Sequence, residues 1–239
     1  MAWVIIFAGG CGQRMHSKSV PKQFLTVNGK PILIHTIEKF DHHPLVEGIV
    51  LVVIEDWIDR CRELIDEFAL KKVKSIVKGG KTGQLSIYNG IKELKRILND
   101  KNEVVLIHDG VRPLINFETI TKNIETAEKY GNAITVVNAF ETVAVLEENI
   151  VTKIIKRENA YICRAPQSFF IDDILNVHNR ALEEGITSTT DSATLMLNHG
   201  YQLHFVPGPV ENIKITTSKD FYMFKSMLDA EELDQIWRN

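Results

Sequence analysis

Residues 3–15 of this chain read WVIIFAGGCGQRM, a short apolar run that is followed at once by a glycine-rich turn and a cation. An apolar run of this length bounded by glycines is typical of a buried β-strand. Glycines after such a strand let backbone N–H groups approach phosphate oxygens, because no Cβ stands in the way. Arg14 in the turn and Lys22 in Pro21-Lys22-Gln23 can neutralise phosphate charge. The opening of the chain therefore predicts a polyphosphate site after the first strand.

The composition is that of an ordinary globular protein. The chain has 239 residues, of which 44% are hydrophobic and 25% charged, and its formal net charge is −3. This balance gives no indication of a nucleic-acid or membrane partner. The longest apolar runs, such as 49–54, are too short to cross a bilayer, and no signal-peptide pattern opens the chain. Because the three cysteines are widely spaced, we expect no disulfide framework and a cytoplasmic location.

The first part of the chain alternates between strand-like and helix-like segments. The predicted strands are 3–7, 48–54, 73–77, 103–107 and 133–138, and the predicted helices are 31–43, 56–69, 84–98 and 116–129. This alternation predicts an α/β fold with a mostly parallel twisted sheet and helices on both faces. In such sheets, ligands bind at the carboxyl ends of the strands, where the glycine turn falls.

The pattern changes from about residue 139. Two β-prone runs at 141–146 and 150–155 flank a turn-like segment, which predicts a β-hairpin. Further helices are predicted at 171–184, at 190–198 and from 218, and further strands at 201–206 and 211–216. Since no linker or repeat is present, we expect one domain over residues 1–239 with an arm at 139–163.

The glycine turn alone does not identify the nucleotide. It lacks the last glycine of the dinucleotide fingerprint, and the chain contains no P-loop motif. An NAD-dependent oxidoreductase is therefore a poor interpretation, the more so because Glu55 comes too late for the ribose-binding acid. The simplest alternative is a structural glycine turn with solvated cations. The combination with Arg14 and Lys22 favours a phosphate site.

A second cluster, His108-Asp109-Gly110-Val111-Arg112-Pro113, follows the predicted strand at 103–107. A carboxylate at the ligand edge beside a polyphosphate is typical of a Mg²⁺ ligand, since hard cations take oxygen donors. The alternative for Asp109 is a turn cap. We interpret His108 as structural, and the histidines show no zinc-site spacing.

Together these motifs resemble the cytidylyltransferases of sugar-alcohol phosphates, which include methylerythritol-phosphate and ribitol-phosphate cytidylyltransferases. The motifs that carry the resemblance are AGGxGxRM at 8–15, PKQ at 21–23, HDxxRP at 108–113, PQ at 166–167, TD at 190–191 and NIK at 212–214. The resemblance runs in order over nearly the whole chain. It implies a Rossmann-like nucleotidyltransferase fold, Mg²⁺, CTP, a sugar-alcohol phosphate acceptor and a homodimer in which the 139–163 arm completes the partner's acceptor site.

The resemblance also implies roles for individual residues. The catalytic cations would be Arg14, Lys22 and Lys214, and we expect Lys22 to be an exposed loop cation. The nucleotide-binding residues would be Ala8, Gly9, Gly10, Gly12, Gly80, Lys81, Ser86 and Asp109. The acceptor-binding residues would be Arg112, Thr142, Arg157 and Thr190, and the metal ligands Asp109 and Glu211. For Ser86 and Thr190, a role in a helix N-terminal turn is the competing interpretation.

The reaction implied by the resemblance is transfer of CMP from CTP to the acceptor phosphate. A phosphate monoester is already an anion at neutral pH, so it needs no general base, which agrees with the lack of a Ser/His/Asp or Cys/His pattern in the sequence. Positioning and charge neutralisation are then the enzyme's main tasks.

The acceptor is the part that the sequence leaves open. The chain departs from the usual family residues at Lys81, Gly83, Glu141 and Ala165, mostly around the acceptor. Val111 and the segment 34–40 resemble the ribitol branch, so we favour ribitol 5-phosphate over 2-C-methyl-D-erythritol 4-phosphate. Another polyol phosphate for capsule or wall precursors stays possible as an interpretation, as does a nucleotide-binding homologue without catalysis. The presence of Arg14, Lys22, Asp109 and Lys214 argues against the last of these.

Overall fold

The computed structural model describes residues 1–9, 20–99 and 101–238, with side chains described as far as residue 230. The strands are β1 (Ala2–Ala8), β2 (Thr26–Val27), β3 (Lys30–Pro31), β4 (Val46–Val53), β5 (Val73–Lys78), β6 (Val104–Asp109), β7 (Asn132–Asn138), β8 (Ala144–Glu147), β9 (Ile150–Ile154), β10 (Tyr161–Phe170) and β11 (Phe205–Pro207). The helices are α1 (Ile32–Asp41), α2 (Ile58–Glu67), α3 (Gly83–Leu98), α4 (Phe117–Tyr130), α5 (Ile171–Glu183), α6 (Ser192–Asn198) and α7 (Ser218–Arg238). No described helix is both long enough and apolar enough to cross a membrane.

The main sheet has seven strands in the order β11-β7-β10-β6-β1-β4-β5. β10 runs antiparallel to its neighbours β6 and β7, and the other strands run in one direction. The predicted α/β fold with a mostly parallel sheet is therefore confirmed. The central strand β1 pairs Phe7 with Asp109 of β6 and Ala8 with Val53 of β4. The ends of these three strands thus meet at the carboxyl edge of the sheet.

The central strand β1 is apolar throughout because helices cover both of its faces. Val4 and Ile6 belong to the core formed with α1, α2 and α4, whereas Trp3 and Ile5 belong to the core formed with α3, α5 and α6. A strand buried on both faces has no polar alternation, which is why the sequence shows a continuous apolar run. The helices on both faces that the sequence predicts are confirmed.

β10 has no counterpart among the strands predicted from the sequence. Arg164, Pro166 and Gln167 interrupt its apolar residues, and a proline inside a run argues against a central strand. The register of the β10–β7 pair shifts between Cys163 and Gln167, so the strand accommodates Pro166 at an irregularity. β10 enters the sheet between β6 and β7, where a purely parallel sheet would have left those two strands adjacent.

The strand predicted at 211–216 is wrong. Residues 211–216 pair with no strand among the described residues. Their backbone makes isolated hydrogen bonds instead, for example from Ile215 N to the Val111 carbonyl. Ile215 is buried, which explains why its neighbourhood is apolar without being a strand. The strand predicted at 201–206 is reduced to β11 at Phe205–Pro207.

The predicted hairpin is confirmed as β8 and β9, which form a separate two-stranded sheet. Glu148 and Asn149 at its turn both have positive φ, at 47° and 69°, as a tight hairpin turn with the strands' twist requires. Most residues of both strands are exposed. An isolated hairpin of this kind gains little stability from itself.

Gly90 allows α3 to approach the sheet closely. A Cβ at this position would lie 2.7 Å from Ile5 Cγ2 and 2.8 Å from Val52 Cγ2. Helix propensity alone favours alanine by about 1 kcal/mol, but overpacking a core costs about 1–3 kcal/mol. We therefore expect Gly90→Ala to lower the free energy of unfolding, as measured by chemical denaturation.

The matched control for Gly90→Ala is Gly83→Ala in the same helix. Among the residues the structure describes, no atom outside the neighbouring backbone lies within 4 Å of a Cβ built on Gly83, so this variant is expected to be neutral or slightly stabilising. Equal or greater stability of Gly90→Ala than of Gly83→Ala would contradict the close packing of α3 on the sheet.

Candidate functional site

A cavity of about 280 Å³ opens at the carboxyl edge of the sheet. Its wall is formed by the ends of β1 and β6, the first turns of α3, part of β10, α5, the segment 189–195 and Lys214. The predicted site residues Asp109, Arg112, Thr190 and Lys214 all line it. The sheet topology has therefore brought together residues that lie far apart in the sequence.

The carboxylate of Asp109 holds two cations. Asp109 is the last residue of β6 and is buried. Arg112 donates from Nε to Asp109 Oδ2 at 2.7 Å, and the Lys214 ammonium lies 2.5 Å from Oδ1. Burial would raise the pKa of this carboxyl, but the charges of Arg112 and Lys214 outweigh burial and hold the pKa well below its usual range. Asp109 is therefore ionised at neutral pH.

Arg112 also ties the end of β6 to the segment that carries Lys214. Its Nη1 donates to the Asn212 carbonyl at 3.0 Å, and Asn212 Nδ2 donates to the Ala165 carbonyl at 2.7 Å. Asn212 is fully buried. These bonds anchor the Asn212-Ile213-Lys214 motif to β6 and β10, although it belongs to no strand. The prediction of Arg112 as an acceptor ligand stays a prediction, and the structure adds this positioning role.

Lys22 is buried, so the expectation of an exposed loop cation is wrong. Its side chain is 9% exposed, and its Nζ donates to the Ile215 carbonyl at 3.0 Å. Lys22 is thus held beside the residue that follows Lys214. In the same motif, Gln23 donates from Nε2 to the Ala8 carbonyl at 2.8 Å, which fixes the loop to the end of β1. The Pro-Lys-Gln motif therefore positions a cation by burial and hydrogen bonding.

Ser86 makes hydrogen bonds within the loop that joins β5 to α3. It lies in the first turn of α3, and Thr82 is the N-cap of that helix. The Ser86 hydroxyl accepts a hydrogen bond from Gly80 N at 3.0 Å and donates to the Thr82 carbonyl at 2.8 Å. A Cβ on Gly9 would lie 3.1 Å from Ser86 Oγ, so Gly9, Gly80 and Ser86 meet in space. Gly9 after β1 and the predicted nucleotide-binding residues Gly80 and Ser86 are therefore adjacent.

Thr190 and Asp191 lie where the chain passes from the cavity wall into helix α6. Asp191 is the N-cap of α6 and accepts from Thr194 N at 2.8 Å. Its other carboxylate oxygen accepts from Gln167 Nε2 at 2.8 Å, and Gln167 Oε1 accepts from Ala193 N. Thr190 is exposed and lines the cavity. Gln167 thus docks the start of α6 against β10 and holds Thr190 at the cavity wall.

Other predicted site residues lie elsewhere. Thr142 and Arg157 are exposed on the 139–163 arm, and Arg157 lines a separate surface pocket with Phe140 and Tyr161. Lys81 and Glu211 are exposed and do not line the cavity. The predicted residues Gly10, Gly12 and Arg14 lie outside the described residues.

His108 is structural, as the sequence interpretation held. It is fully buried, stacks edge-on against Phe40, and hydrogen-bonds through Nε2 to the Arg112 carbonyl at 3.1 Å. Burial lowers its pKa to about 4, so the ring is neutral at pH 7. His108 supports the turn on which Arg112 is carried.

The residues that could hold a metal ion are few. Among the described residues, no group of three or more His, Cys, Asp or Glu side chains is arranged as a metal site. Of the carboxylates on the cavity wall, Asp191 is engaged in capping α6, which leaves Asp109. One carboxylate is enough for a Mg²⁺ ion that takes its other ligands from water and substrate phosphates.

Several cavity residues were not found by the sequence analysis: Gln84 on α3, Arg164 on β10 and His178 on α5. Arg164 donates from Nη1 to the Val210 carbonyl at 3.0 Å. His178 is buried and stacks on Tyr88 with ring centroids 5.8 Å apart. No local motif marks these residues. Only the packing of α3, α5 and β10 brings them to the cavity.

The buried ring of His178 makes the folded protein sensitive to acid. Burial and then the proximity of His199 lower its pKa from 6.5 to about 4. Below pH 6.5 the His178 ring of the unfolded chain therefore binds a proton that the ring in the folded chain does not. The contribution of His178 to stability falls from pH 6.5 towards pH 4 and does not change with pH above this range. His178→Phe should remove roughly 3 kcal/mol of this loss.

The measurement is the free energy of unfolding at a series of pH values. Tyr88→Phe is the matched control, because it alters the stacking partner and leaves the titrating ring in place. The same pH slope in His178→Phe as in wild type would show that His178 is not held neutral by burial.

Comparison with known proteins places these features in a family. The family model "IspD: 2-C-methyl-D-erythritol 4-phosphate cytidylyltransferase" matches residues 2–230. The chain is 47% identical over 234 residues to the ribitol-5-phosphate cytidylyltransferase of Streptococcus agalactiae serotype V, covering 98% of this chain and 97% of that protein. It is 38% identical to the 2-C-methyl-D-erythritol 4-phosphate cytidylyltransferase of Clostridium botulinum strain Langeland, and the match covers 95% of this chain and 96% of that protein.

A solved structure agrees with this match. The 4-diphosphocytidyl-2C-methyl-D-erythritol synthase of Anaerococcus prevotii superposes with a TM-score of 0.82 at 27% identity, covering 95% of this chain and 96% of that one. The family model, the relatives and the fold thus agree over nearly the whole length. The chain belongs to the IspD family of cytidylyltransferases, which are nucleotidyltransferases.

Proposed function

We propose that this protein transfers CMP from CTP to ribitol 5-phosphate, giving CDP-ribitol and pyrophosphate. The observation that carries the proposal is the cluster of Asp109, Arg112 and Lys214 at the carboxyl edge, with Lys22 held next to it through Ile215. Arg112 and Lys214 line the cavity and can neutralise phosphate charge. Family membership supports the nucleotide and the reaction type.

The chemistry needs no side-chain base. An oxygen of the acceptor phosphate attacks the α-phosphorus of CTP, a new P–O bond forms, and the bond to the β-phosphate oxygen breaks to release pyrophosphate. Negative charge moves toward the leaving group, so cations that are fixed in advance lower the barrier. We assign this work to Lys22 and Lys214, and also to Arg14, which lies outside the described residues. Gly9, Gly80 and Ser86 would contact the nucleotide.

We include Mg²⁺ in the proposal. Asp109 is a buried, ionised carboxylate on the wall of the cavity, which is the kind of oxygen donor that Mg²⁺ prefers. When bound, Mg²⁺ would neutralise triphosphate charge alongside the lysines. Binding would require Asp109 to exchange part of its contact with Lys214, and the released ammonium could then serve a phosphate. Glu211, the second expected ligand, is exposed and outside the cavity wall.

Ribitol 5-phosphate is favoured over 2-C-methyl-D-erythritol 4-phosphate as the acceptor. The ribitol-5-phosphate cytidylyltransferase of Streptococcus agalactiae is 47% identical to this chain, whereas the methylerythritol enzyme of Clostridium botulinum is 38% identical. The family model carries the methylerythritol name, so this compound is the second candidate. We place the reaction in the cytoplasm, since the described cysteines Cys61 and Cys163 are both free thiols.

We also propose that the 139–163 arm docks on a second copy of the chain. Its hairpin lies outside the main sheet and exposes apolar side chains, with Leu146 61% and Ile150 67% exposed. A contiguous exposed apolar surface on a small hairpin is typical of an interface. Thr142 and Arg157 on the same arm, which do not line the cavity of their own chain, would then reach the partner's acceptor site.

The direct test of the proposed function is pyrophosphate release with Mg²⁺. The purified protein is incubated with CTP, UTP, ATP or GTP against ribitol 5-phosphate, 2-C-methyl-D-erythritol 4-phosphate and glycerol 3-phosphate. We expect release with CTP and ribitol 5-phosphate above all other pairs. Release only with the methylerythritol compound would overturn the acceptor, and no release from CTP with any acceptor would indicate a nucleotide-binding homologue without catalysis.

Lys214→Met should lower kcat/KM by about 10²–10³, because one charge donor to the transition state is lost. The fold should persist, since the Lys214 side chain is 40% exposed. Lys219→Met on the exposed start of α7 is the control and should turn over normally. The readout is steady-state kinetics together with the far-UV circular dichroism spectrum. Normal turnover by Lys214→Met would remove this lysine from the catalytic set.

If the arm forms the dimer interface, introducing charged residues into the hairpin should dissociate the dimer into single chains. Leu146→Glu with Ile150→Glu would force charges into the interface, and burying unpaired charges is strongly unfavourable. We expect light scattering to give the mass of one chain for this variant and of two chains for the wild type, with activity lost in the variant. The control is Glu118→Gln on α4, which is exposed and away from the arm. A monomeric, active wild type would contradict the proposal.

A further inference from the structure

The wall of the cavity carries two chemically different sets of side chains. The charged set has three cations against two carboxylates, Asp109 and Asp191. We call the part where Arg112 and Lys214 contact Asp109 the cationic end. The second set is uncharged and polar and includes Gln84 of α3 and His178 of α5, which share the wall with apolar side chains. A ligand with an anionic head that binds the cations would therefore extend its remaining atoms along the cavity toward these two uncharged polar residues.

Gln84 is fixed in one orientation. Its Nε2 donates to the Ile186 carbonyl at 2.8 Å, and a carbonyl cannot donate in return, so Oε1 must be the atom on the other side. The side chain is only 4% exposed, and Oε1 has no hydrogen-bond partner among the described residues. Gln84 Oε1 is thus a buried acceptor that lacks a donor.

His178 presents a second set of unpaired atoms in the same cavity. The side chain is 1% exposed, and neither Nδ1 nor Nε2 has a hydrogen-bond partner among the residues the structure describes. Because burial keeps the ring neutral, one ring nitrogen is a donor and the other an acceptor. Buried polar atoms in native proteins are nearly always paired, so two such side chains on one cavity wall point to a ligand.

We propose that Gln84 and His178 form an inner pocket that recognises hydroxyl groups of the acceptor's polyol chain. The inference rests on the proposed function, which places the acceptor phosphate at the cationic end. A hydroxyl group both donates and accepts, so one can donate to Gln84 Oε1 while another accepts from the ring N–H of His178. A second phosphate or a carboxylate does not suit this end, because neither residue is charged.

The inner pocket would select acceptors by the length and hydroxylation of the chain. The linear, fully hydroxylated chain of ribitol 5-phosphate can place a hydroxyl at each unpaired atom. Glycerol 3-phosphate has a chain shorter by two carbons and two hydroxyls. The main chain of 2-C-methyl-D-erythritol 4-phosphate is shorter than that of ribitol 5-phosphate by one carbon and one hydroxyl, and its methyl branch adds apolar bulk. Sites built to hydrogen-bond a hydroxyl discriminate strongly against analogues that lack it, because the polar groups of the site are then left unpaired.

The kinetic test compares KM values for ribitol 5-phosphate. His178→Phe keeps an aromatic ring that can stack on Tyr88 and removes both ring nitrogens. We expect KM for ribitol 5-phosphate to rise about 3–10-fold, the size of one neutral hydrogen bond, with KM for CTP unchanged. Gln84→Met should act in the same direction, and it retains the length of the side chain.

Tyr88→Phe is the matched control for loosened packing. It contacts the same ring and loses only the hydrogen bond from Tyr88 Oη to Asn179, which does not line the cavity. Its KM for ribitol 5-phosphate should stay at the wild-type value. An unchanged KM in both His178→Phe and Gln84→Met, or an equal rise in Tyr88→Phe, would overturn the inner pocket.

A second readout does not depend on turnover. In ¹⁵N-histidine-labelled protein, the ring signals of His178 are identified by their loss in His178→Phe. We expect them to shift on titration with ribitol 5-phosphate and to stay unmoved with inorganic phosphate, which occupies only the cationic end. Shifts that are the same with both probes, or absent with ribitol 5-phosphate, would contradict the inner pocket.

This readout also separates the inner pocket from the proposed function. If the wild type turns over only the methylerythritol compound, the proposed acceptor fails, and the same titration with that compound then tests the pocket. If ribitol 5-phosphate is turned over but leaves the His178 signals unmoved, the proposed function stands and the inner pocket is wrong.

Discussion

Asp109 is the residue on which the rest of the site depends. A carboxylate buried at the end of β6 is stable there only because Arg112 and Lys214 neutralise it. The two cations are in turn held in place by the carboxylate, one of them on a segment without regular structure. The ion pairs therefore do two things at once: they make a buried charge tolerable, and they fix the cations before any phosphate arrives. Preorganised charge of this kind is the main source of rate enhancement in phosphoryl and nucleotidyl transfer.

The sheet explains why this cluster can form. β1 is paired on both sides by parallel strands, so the ends of β1, β4 and β6 meet at one edge. β10 then enters antiparallel beside β6 and brings Ala165 and Gln167 to the same edge, where they anchor Asn212 and the start of α6. The reversed strand thus supplies Arg164, Ala165 and Gln167 to the wall of the cavity at this edge.

Local sequence patterns predict part of this arrangement. Apolar runs bounded by glycine and proline predict the parallel strands and their helices, and the turn-like segment between two β-prone runs predicts the hairpin. β10 was missed because Pro166 and its polar neighbours hide it, and 211–216 was taken for a strand because Ile215 is buried by tertiary contact alone. Asp109 and Lys214 were found from motifs, whereas their mutual contact, the burial of Lys22 and the inner pocket of Gln84 and His178 follow from packing between distant elements. No spacing rule encodes such contacts.

The most direct test of the central claim is a double-mutant cycle on the Asp109–Lys214 pair. The free energy of unfolding is measured for wild type, Asp109→Asn, Lys214→Met and the double variant at neutral pH. If the carboxylate holds the lysine in the unliganded protein, the two effects are non-additive, with a coupling of at least about 1 kcal/mol. Additivity within about 0.3 kcal/mol would show that Lys214 is not fixed by Asp109 and would contradict the account of a preorganised site.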